Sequence, residues 1–393
     1  MNETVPSRKS KILLLVLVTG IFFFNFLSRI MPAPLMPTIE SDLGLVHAEA
    51  GSFFLLISLG YCISLVGSGY LSLWLTHRKT IALSSAVTGI ALLFIAASKT
   101  PWAINTGLVF LGLAAGMYLP SGLTTITSSI QVRNWGKAIA VHEMAPAVAY
   151  IAAPLIAEML LHWCTWQGVL VSIGITSIIL SMLFSRLGRG GDFKGEAPNF
   201  NNVSTVMKHP AFWIMTFFFS VAIATSMGVF SMLPLYLVAE RGFERSTANT
   251  ILGLSRIPSV VMALVAGWLS DRLGPKRTIK IVLAFNGITT ILLGIVPADW
   301  LLLIVFLQPM LSACFFPAGF TMLSSLSPSH VRNVAISITI FFAYLIGAGL
   351  IPVGMGILGD RGHFDLAIVL VGCLILASVV LFRYLRHDEN QKS

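Results

Sequence analysis

Two arginines sit inside otherwise apolar stretches. Arg29 lies in F-F-F-N-F-L-S-R-I-M-P-A-P and Arg256 in L-G-L-S-R-I-P-S. A guanidinium is always charged and offers a planar fork of N–H donors that matches the two oxygens of a carboxylate. A charge inside an apolar segment is costly, so it points to a task. At ~1.5 Å of rise per residue, Arg29 is expected about 6 Å outward of the centre of its segment and Arg256 about 5 Å. Asn25 is one turn before Arg29, on the same helix face. The constellation predicts a clamp for a carboxylate or similar oxyanion, one arginine from each half of the chain, facing one central cavity. The competing readings are snorkelling to the outer interface and neutralisation by protein acids.

Those acids are Glu143 and Glu158, both in the stretch 138–161. Burial would move a glutamate toward proton exchange near neutral pH, which makes Glu143, with His142 beside it, the candidate for proton coupling. Neighbouring helix positions point to different faces, so no direct His142–Glu143 pair is required. Glu158 reads as interfacial. Tyr118, Tyr150, Ser226, Gln308 and Tyr344 are candidates to complete the substrate site, with Tyr61, Thr225 and Asn286 at similar depth. Cys62, Cys164, Cys314 and Cys373 have no metal-site spacing, and no metal or cofactor is expected. No G-x-S-x-G, H-E-x-x-H or phosphate loop appears, so an enzyme is not expected.

The elements that must carry these residues are membrane helices. The chain is 56% hydrophobic and 10% charged, where a soluble domain is about a quarter charged. A spanning helix needs about 20 mostly apolar residues. Twelve segments qualify, numbered here as spans 1 to 12: 12–38, 47–75, 79–98, 103–131, 138–161, 166–187, 211–238, 247–272, 278–297, 299–326, 333–358 and 365–385. The first is too long for a signal-peptide core and has no A-x-A-like cleavage site after it, so it is expected to be retained. The stretch 188–210 is polar and rich in Gly and Asn. It predicts a cytoplasmic linker between two six-helix bundles, 1–187 and 211–393.

Of the 25 Lys and Arg residues, Arg29 and Arg256 lie within spans and Lys99, Arg241, Arg245 and Arg361 fall on one side. All others fall on the opposite side, which the positive-inside rule makes cytoplasmic, with both termini there. The same asymmetry accounts for the net charge of +9, so no nucleic-acid partner is needed.

The two halves repeat each other. G-Y-L-S-L-W-L-T-H-R-K-T-I begins at Gly69 and G-W-L-S-D-R-L-G-P-K-R-T-I at Gly267. P-S-G-L-T-T-I-T-S-S from Pro120 answers P-A-G-F-T-M-L-S-S from Pro317. V-R-N recurs at Val132 and Val331, and Pro37 and Pro154 match Pro234 and Pro352. A shared offset of half the chain is a duplication, and parallel repeats are a transporter architecture. The stretch 267–277 resembles the signature of the major facilitator superfamily between helices 2–3 and 8–9, and the resemblance covers essentially the whole chain. It implies an all-α membrane protein of twelve transmembrane helices in two bundles related by a pseudo-two-fold axis.

The resemblance also implies a cytoplasmic gate built from Gly267, Asp271, Arg272 and Arg277, with Arg332 and Arg133 as basic partners. Gly267 is expected to allow close helix approach and Asp271 to meet Arg332. Leu73 and Trp74 stand where the first copy would hold Asp-Arg, so the latch of that half is expected to be weak. A cation on helix 1 with an arginine on helix 8 is similar to the monocarboxylate carriers of the superfamily. The chain is therefore expected to be a secondary active transporter of a small organic anion, proton-coupled, monomeric and multi-pass in the inner cell membrane. The alternatives are a multidrug or cation exporter of the same fold and a non-transporting receptor or scaffold.

Overall fold

The computed structural model describes residues 8–195, 207–326 and 332–385, with the side chains of residues 8, 332 and 333 outside that description. Among the described residues, twelve helices are long and apolar enough to cross a membrane. They are Lys9–Leu43, His47–Trp74, His77–Ala97, Pro101–Ser129, Val132–Leu161, Trp166–Leu187, Pro210–Ala239, Arg245–Leu273, Pro275–Ile295, Ala298–Leu326, Val334–Gly359 and Phe364–Arg383. Each expected span has its helix, with ends displaced by a few residues. There is no strand among the described residues; the one isolated bridge pairs Thr76 with Lys194.

Prolines set where the helices break. Span 4 is interrupted at Met117, between Pro101–Gly116 and Tyr118–Ser129, and span 10 at Cys314, between Ala298–Ala313 and Phe315–Leu326. Pro120 and Pro317 follow three residues later in each case. Neither has an N–H to give to the preceding turn, so the helix yields there. Span 1 breaks at Met31 ahead of Pro32, and span 8 at Ser255 and Arg256 ahead of Pro258. Spans 7 and 11 instead widen into π turns at Ala224–Gly228 and Tyr344–Leu350. A Cβ on Gly228 would strike the Gly347 carbonyl, and one on Gly347 would lie 2.5 Å from the Ser220 carbonyl. The two wide turns therefore meet backbone against backbone.

The chain forms two compact units, Met1–Leu35 with Leu56–Pro198 and Met36–Leu55 with Asn199–Ser393. The expected division at 187 and 211 differs from this in two places. Residues 188–195 fold onto the first unit, held by main-chain bonds described below. Residues 36–55, the end of span 1 and the start of span 2, pack with the second. Asp360, at the end of span 11, explains part of that. Its carboxylate accepts hydrogen bonds from the backbone N–H groups of His47 (2.6 Å) and Ala48 (3.1 Å). These are orphan donors at the start of the span 2 helix, where negative charge is favoured. Glu40 holds the His47 ring through Nδ1 at 3.0 Å, and Arg245 donates to Thr38 at 3.2 Å.

Candidate functional site

Both arginines are buried, Arg29 at 2% exposure and Arg256 at 6%. Each lies against aromatic rings of its own unit. The Arg29 guanidinium is 4.3 Å from the Tyr61 ring centroid and 4.8 Å from that of Phe26. Arg256 is 4.7 Å from the Phe230 centroid, and its Nη2 donates to the Ser226 carbonyl at 3.1 Å. A desolvated cation–π contact contributes on the order of 2 kcal/mol. Stacking covers a guanidinium face and leaves its in-plane N–H groups as the directional element.

The two sites share a local construction that sequence reasoning overlooked. Ser28-Arg29-Ile30 and Ser255-Arg256-Ile257 each precede a proline that breaks the helix. In each, the serine hydroxyl bonds back to a carbonyl three residues earlier, Ser28 to Asn25 (2.8 Å) and Ser255 to Leu252 (2.9 Å). These tripeptides lie on spans 1 and 8, which are not repeat partners. In the repeat, the counterpart of Arg29 is Ser226, whose carbonyl receives the Arg256 fork.

That carbonyl is presented by the π turn of span 7. A π turn breaks the regular pairing of backbone groups and is frequent at functional sites. Gln308 donates to the neighbouring Thr225 carbonyl at 3.2 Å. The Thr225 hydroxyl accepts from Asn286 at 3.1 Å and lies 3.2 Å from the Ser312 hydroxyl. Gln308 thus shapes the turn, and its amide N–H is committed there. Tyr344 opens the π turn of span 11. Asn25 shares a face with Arg29, but its amide donates to the Ala115 carbonyl at 3.2 Å and fastens span 1 to span 4. Tyr150 makes an edge contact with Phe26 at 5.1 Å. The Ser226 hydroxyl points back along its own turn, toward the Ile223 carbonyl. Phe26 and Phe230 were missed because phenylalanine is common in membrane spans and carries no signal of its own.

His142 and Glu143 do meet, although helix geometry does not require it. His142 Nδ1 lies 2.9 Å from Glu143 Oε1. The imidazole points inward and is fully enclosed, while the glutamate, 47% exposed, folds back over it. On the other ring edge, Nε2 is 3.0 Å from the Tyr118 hydroxyl, which donates to the Val18 carbonyl at 2.7 Å. Tyr118 is therefore occupied within this cluster rather than free for substrate. Phe22 stacks on the His142 ring, with centroids 4.4 Å apart and planes within 4°.

At the gate, Gly267 has open space where a Cβ would stand, so it makes no close helix approach. The Arg272 guanidinium stacks on Trp268 at 4.2 Å. Arg133 and Arg277 are exposed. Asp271 is exposed and makes no ion pair with a described residue; the side chain of Arg332, its expected partner, lies outside the described residues. Beside Arg277, Lys276 Nζ donates to the Leu385 carbonyl at 2.7 Å.

The hinge between spans 2 and 3 is strapped by the start of the linker. His77 N–H donates to the Phe193 carbonyl (3.1 Å), Arg78 N–H to Gly191 (2.9 Å) and Gly195 N–H to Ser72 (2.9 Å). The Arg78 side chain reaches Asp192 at 3.3 Å and the Ser185 carbonyl at 2.8 Å. Asp192 thus supplies an acid to the half whose own motif has Leu73 and Trp74.

Comparison with known proteins agrees with this architecture. The profile described as Major Facilitator Superfamily matches residues 18–297 and 242–393. The chain is 24% identical over 397 residues to the gallate transporter of Pseudomonas putida, covering 88% of this chain and 86% of that one. It is 23% identical over 453 residues to the D-galactonate transporter of Escherichia coli O6:H1, covering 100% and 99%. Among solved structures, a bacterial homolog of the human lysosomal transporter Spinster, inward-facing and occupied, superposes with a TM-score of 0.84 at 14% identity over 97% of both chains. At that identity the likeness speaks for the fold.

Proposed function

The chain belongs to the Major Facilitator Superfamily, and from that premise we propose that it is a secondary active transporter of a small carboxylate-type organic anion, working by alternating access with proton coupling. It is a multi-pass membrane protein and not an enzyme. The observation that carries the substrate class is the pair of buried arginines, each set at a helix break against an aromatic wall of its own unit. Their planar N–H edges suit a carboxylate, which accepts two parallel hydrogen bonds from one guanidinium. The similar gallate and D-galactonate transporters are named for carboxylates, which supports the same class.

In this reading Arg29 and Arg256 are the principal anion ligands. Tyr150 and Tyr344 complete the recognition of the rest of the molecule, while Ser226 offers its carbonyl and Gln308 holds the turn. His142 and Glu143 carry the proton. Asp271, Arg272, Arg277, Arg332 and Arg133 form the cytoplasmic gate. The protein works as a monomer in the inner membrane with both termini in the cytoplasm, as its basic residues favour.

The test is uptake into proteoliposomes of labelled aromatic and sugar carboxylates, with Arg29→Ala and Arg256→Ala as variants and thermal stability as the folding control. Both variants are expected to fall to the level of protein-free liposomes. Wild-type uptake by either folded variant would remove that arginine from the site. Uptake of organic cations with none of anions would favour an exporter instead.

A further inference from the structure

The hydrogen-bond ledger around His142 fixes more than its neighbours. Tyr118 has one hydroxyl proton and two polar contacts, the Val18 carbonyl at 2.7 Å and His142 Nε2 at 3.0 Å. A carbonyl only accepts, so the proton goes to Val18. The phenol oxygen is then left to accept, and Nε2 must carry a hydrogen to donate to it. A neutral imidazole with Nε2–H has a bare lone pair on Nδ1. That lone pair faces Glu143 Oε1 at 2.9 Å. Two lone pairs do not hold each other at that distance, so a further proton lies between them.

We propose that His142 is a proton-binding site, with Nε2–H held permanently toward Tyr118 and a second, exchangeable proton shared with Glu143 through Nδ1. The proton enters from water at the exposed glutamate, is held between Oε1 and Nδ1, and leaves by the same atoms. The pair passes from a net charge of −1 to 0 and no other bond changes. The groups facing the imidazole are Tyr118 from span 4, Phe22 and the Val18 carbonyl from span 1, and Glu143 from its own span. When the proton leaves, the Nδ1 lone pair and the carboxylate repel and Glu143 swings outward. The ring stays, held by Tyr118 and the Phe22 stack.

Span 1 supplies the connection to substrate. Val18, Phe22, Asn25 and Arg29 fall on one helical stripe, and Val18 and Arg29 are separated by about 16 Å at ~1.5 Å per residue. A proton on Nδ1 gives cationic character to the imidazole stacked on Phe22, which strengthens that contact, so the span that feels the proton is the span that carries an arginine. This use of the site rests on the reading of the chain as an anion carrier; the protonation itself does not.

Two measurements on the full chain keep these apart. In the first, histidine is labelled with ¹⁵N in reconstituted protein and the His142 signal is identified by its loss in His142→Gln. As the pH is lowered, Nε2 is expected to stay protonated while Nδ1 passes from bare to protonated. A neutral ring with the hydrogen on Nδ1 and a bare Nε2 would overturn the proposal. In the second, anion accumulation driven by an imposed proton gradient is compared with substrate counterflow, which needs no net proton movement. The ratio of driven accumulation to counterflow is expected to collapse in Glu143→Gln, whose exposed side chain makes misfolding a small risk, and in His142→Gln. An unchanged ratio in either folded variant, or equal loss of both activities, would overturn the coupling role. If wild type takes up no anion in either mode, the substrate reading fails, and the first measurement still decides the proton site.

Discussion

Around Thr76 the turn between spans 2 and 3 is tied to the linker by main-chain bonds and by Arg78 with Asp192. Around Gly274 the turn between spans 8 and 9 relies on a left-handed glycine, with φ of 81°, and on Pro275, and reaches span 12 through Lys276. The first hinge has lost the Asp-Arg pair of the motif, and the second has kept it with Asp271 exposed. In the first hinge, where the motif's acid is absent, a segment from outside the repeat fastens the turn. In the second, where Asp271 survives, the fastening among the described residues comes from the turn glycine, Pro275 and Lys276.

The two arginine sites put one test to both halves, and they carry the largest expected effect. An ammonium keeps a cation–π contact but loses the planar fork. Arg29→Lys and Arg256→Lys should each transport near the level of protein-free liposomes. Substantial uptake by one folded variant alone would mean that the halves use their arginines differently.

The hinges come next. Gly191 has φ of 73°, and a Cβ there would lie 2.6 Å from the Thr125 hydroxyl and 3.1 Å from the Arg78 nitrogen. Gly191→Ala should lower unfolding stability by about 2 kcal/mol from backbone strain and crowding. Gly274→Ala meets open space and should cost only the strain of φ 81° with ψ 151°, a region essentially reserved for glycine, about 1–3 kcal/mol. Thermal melts of the two variants in one detergent would check both; an unchanged melt for Gly191→Ala would mean that the linker does not fasten the first hinge.

Asp271→Asn should leave the melting temperature unchanged, since the carboxylate is exposed. It should raise cytoplasmic accessibility of cysteines placed in the spans, because a latch bond of about 1.5–3 kcal/mol would be missing from the closed state. Unchanged accessibility would retire the latch. The smallest effect is expected for Asp192→Asn. Its carboxylate is 63% exposed, and such pairs contribute under about 1 kcal/mol. A larger loss would show that the ion pair, rather than the main-chain bonds, holds the strap.

Much of this was legible before any coordinates. Apolar length gave twelve spans because lipid leaves backbone groups no partner but the helix itself. The burial of Arg29 and Arg256 followed from their surroundings, and the family from the duplicated hinge. Less could be read where one segment's conformation depends on another. The π turns of spans 7 and 11 meet at glycines, and no local pattern encodes that meeting. The His142–Glu143 pair depends on one side chain folding back over its neighbour. Gly267 belongs to the family's motif, but the motif does not say whether a neighbour is near. The strap of residues 188–195 looked like plain linker because its bonds are made by the main chain, whose donors and acceptors are the same in every sequence.

The carboxylate of Asp360 at the head of span 2 has a consequence for speed. It touches only two backbone N–H groups at the rim of a helix, where water can take over each partner as it leaves. Net of that exchange, each bond contributes about 1 kcal/mol. A fastening of this kind biases which arrangement is populated and adds little to the barrier between arrangements. Asp360 therefore acts as a thumb on the scale, able to shift which arrangement is populated without slowing the step that limits turnover.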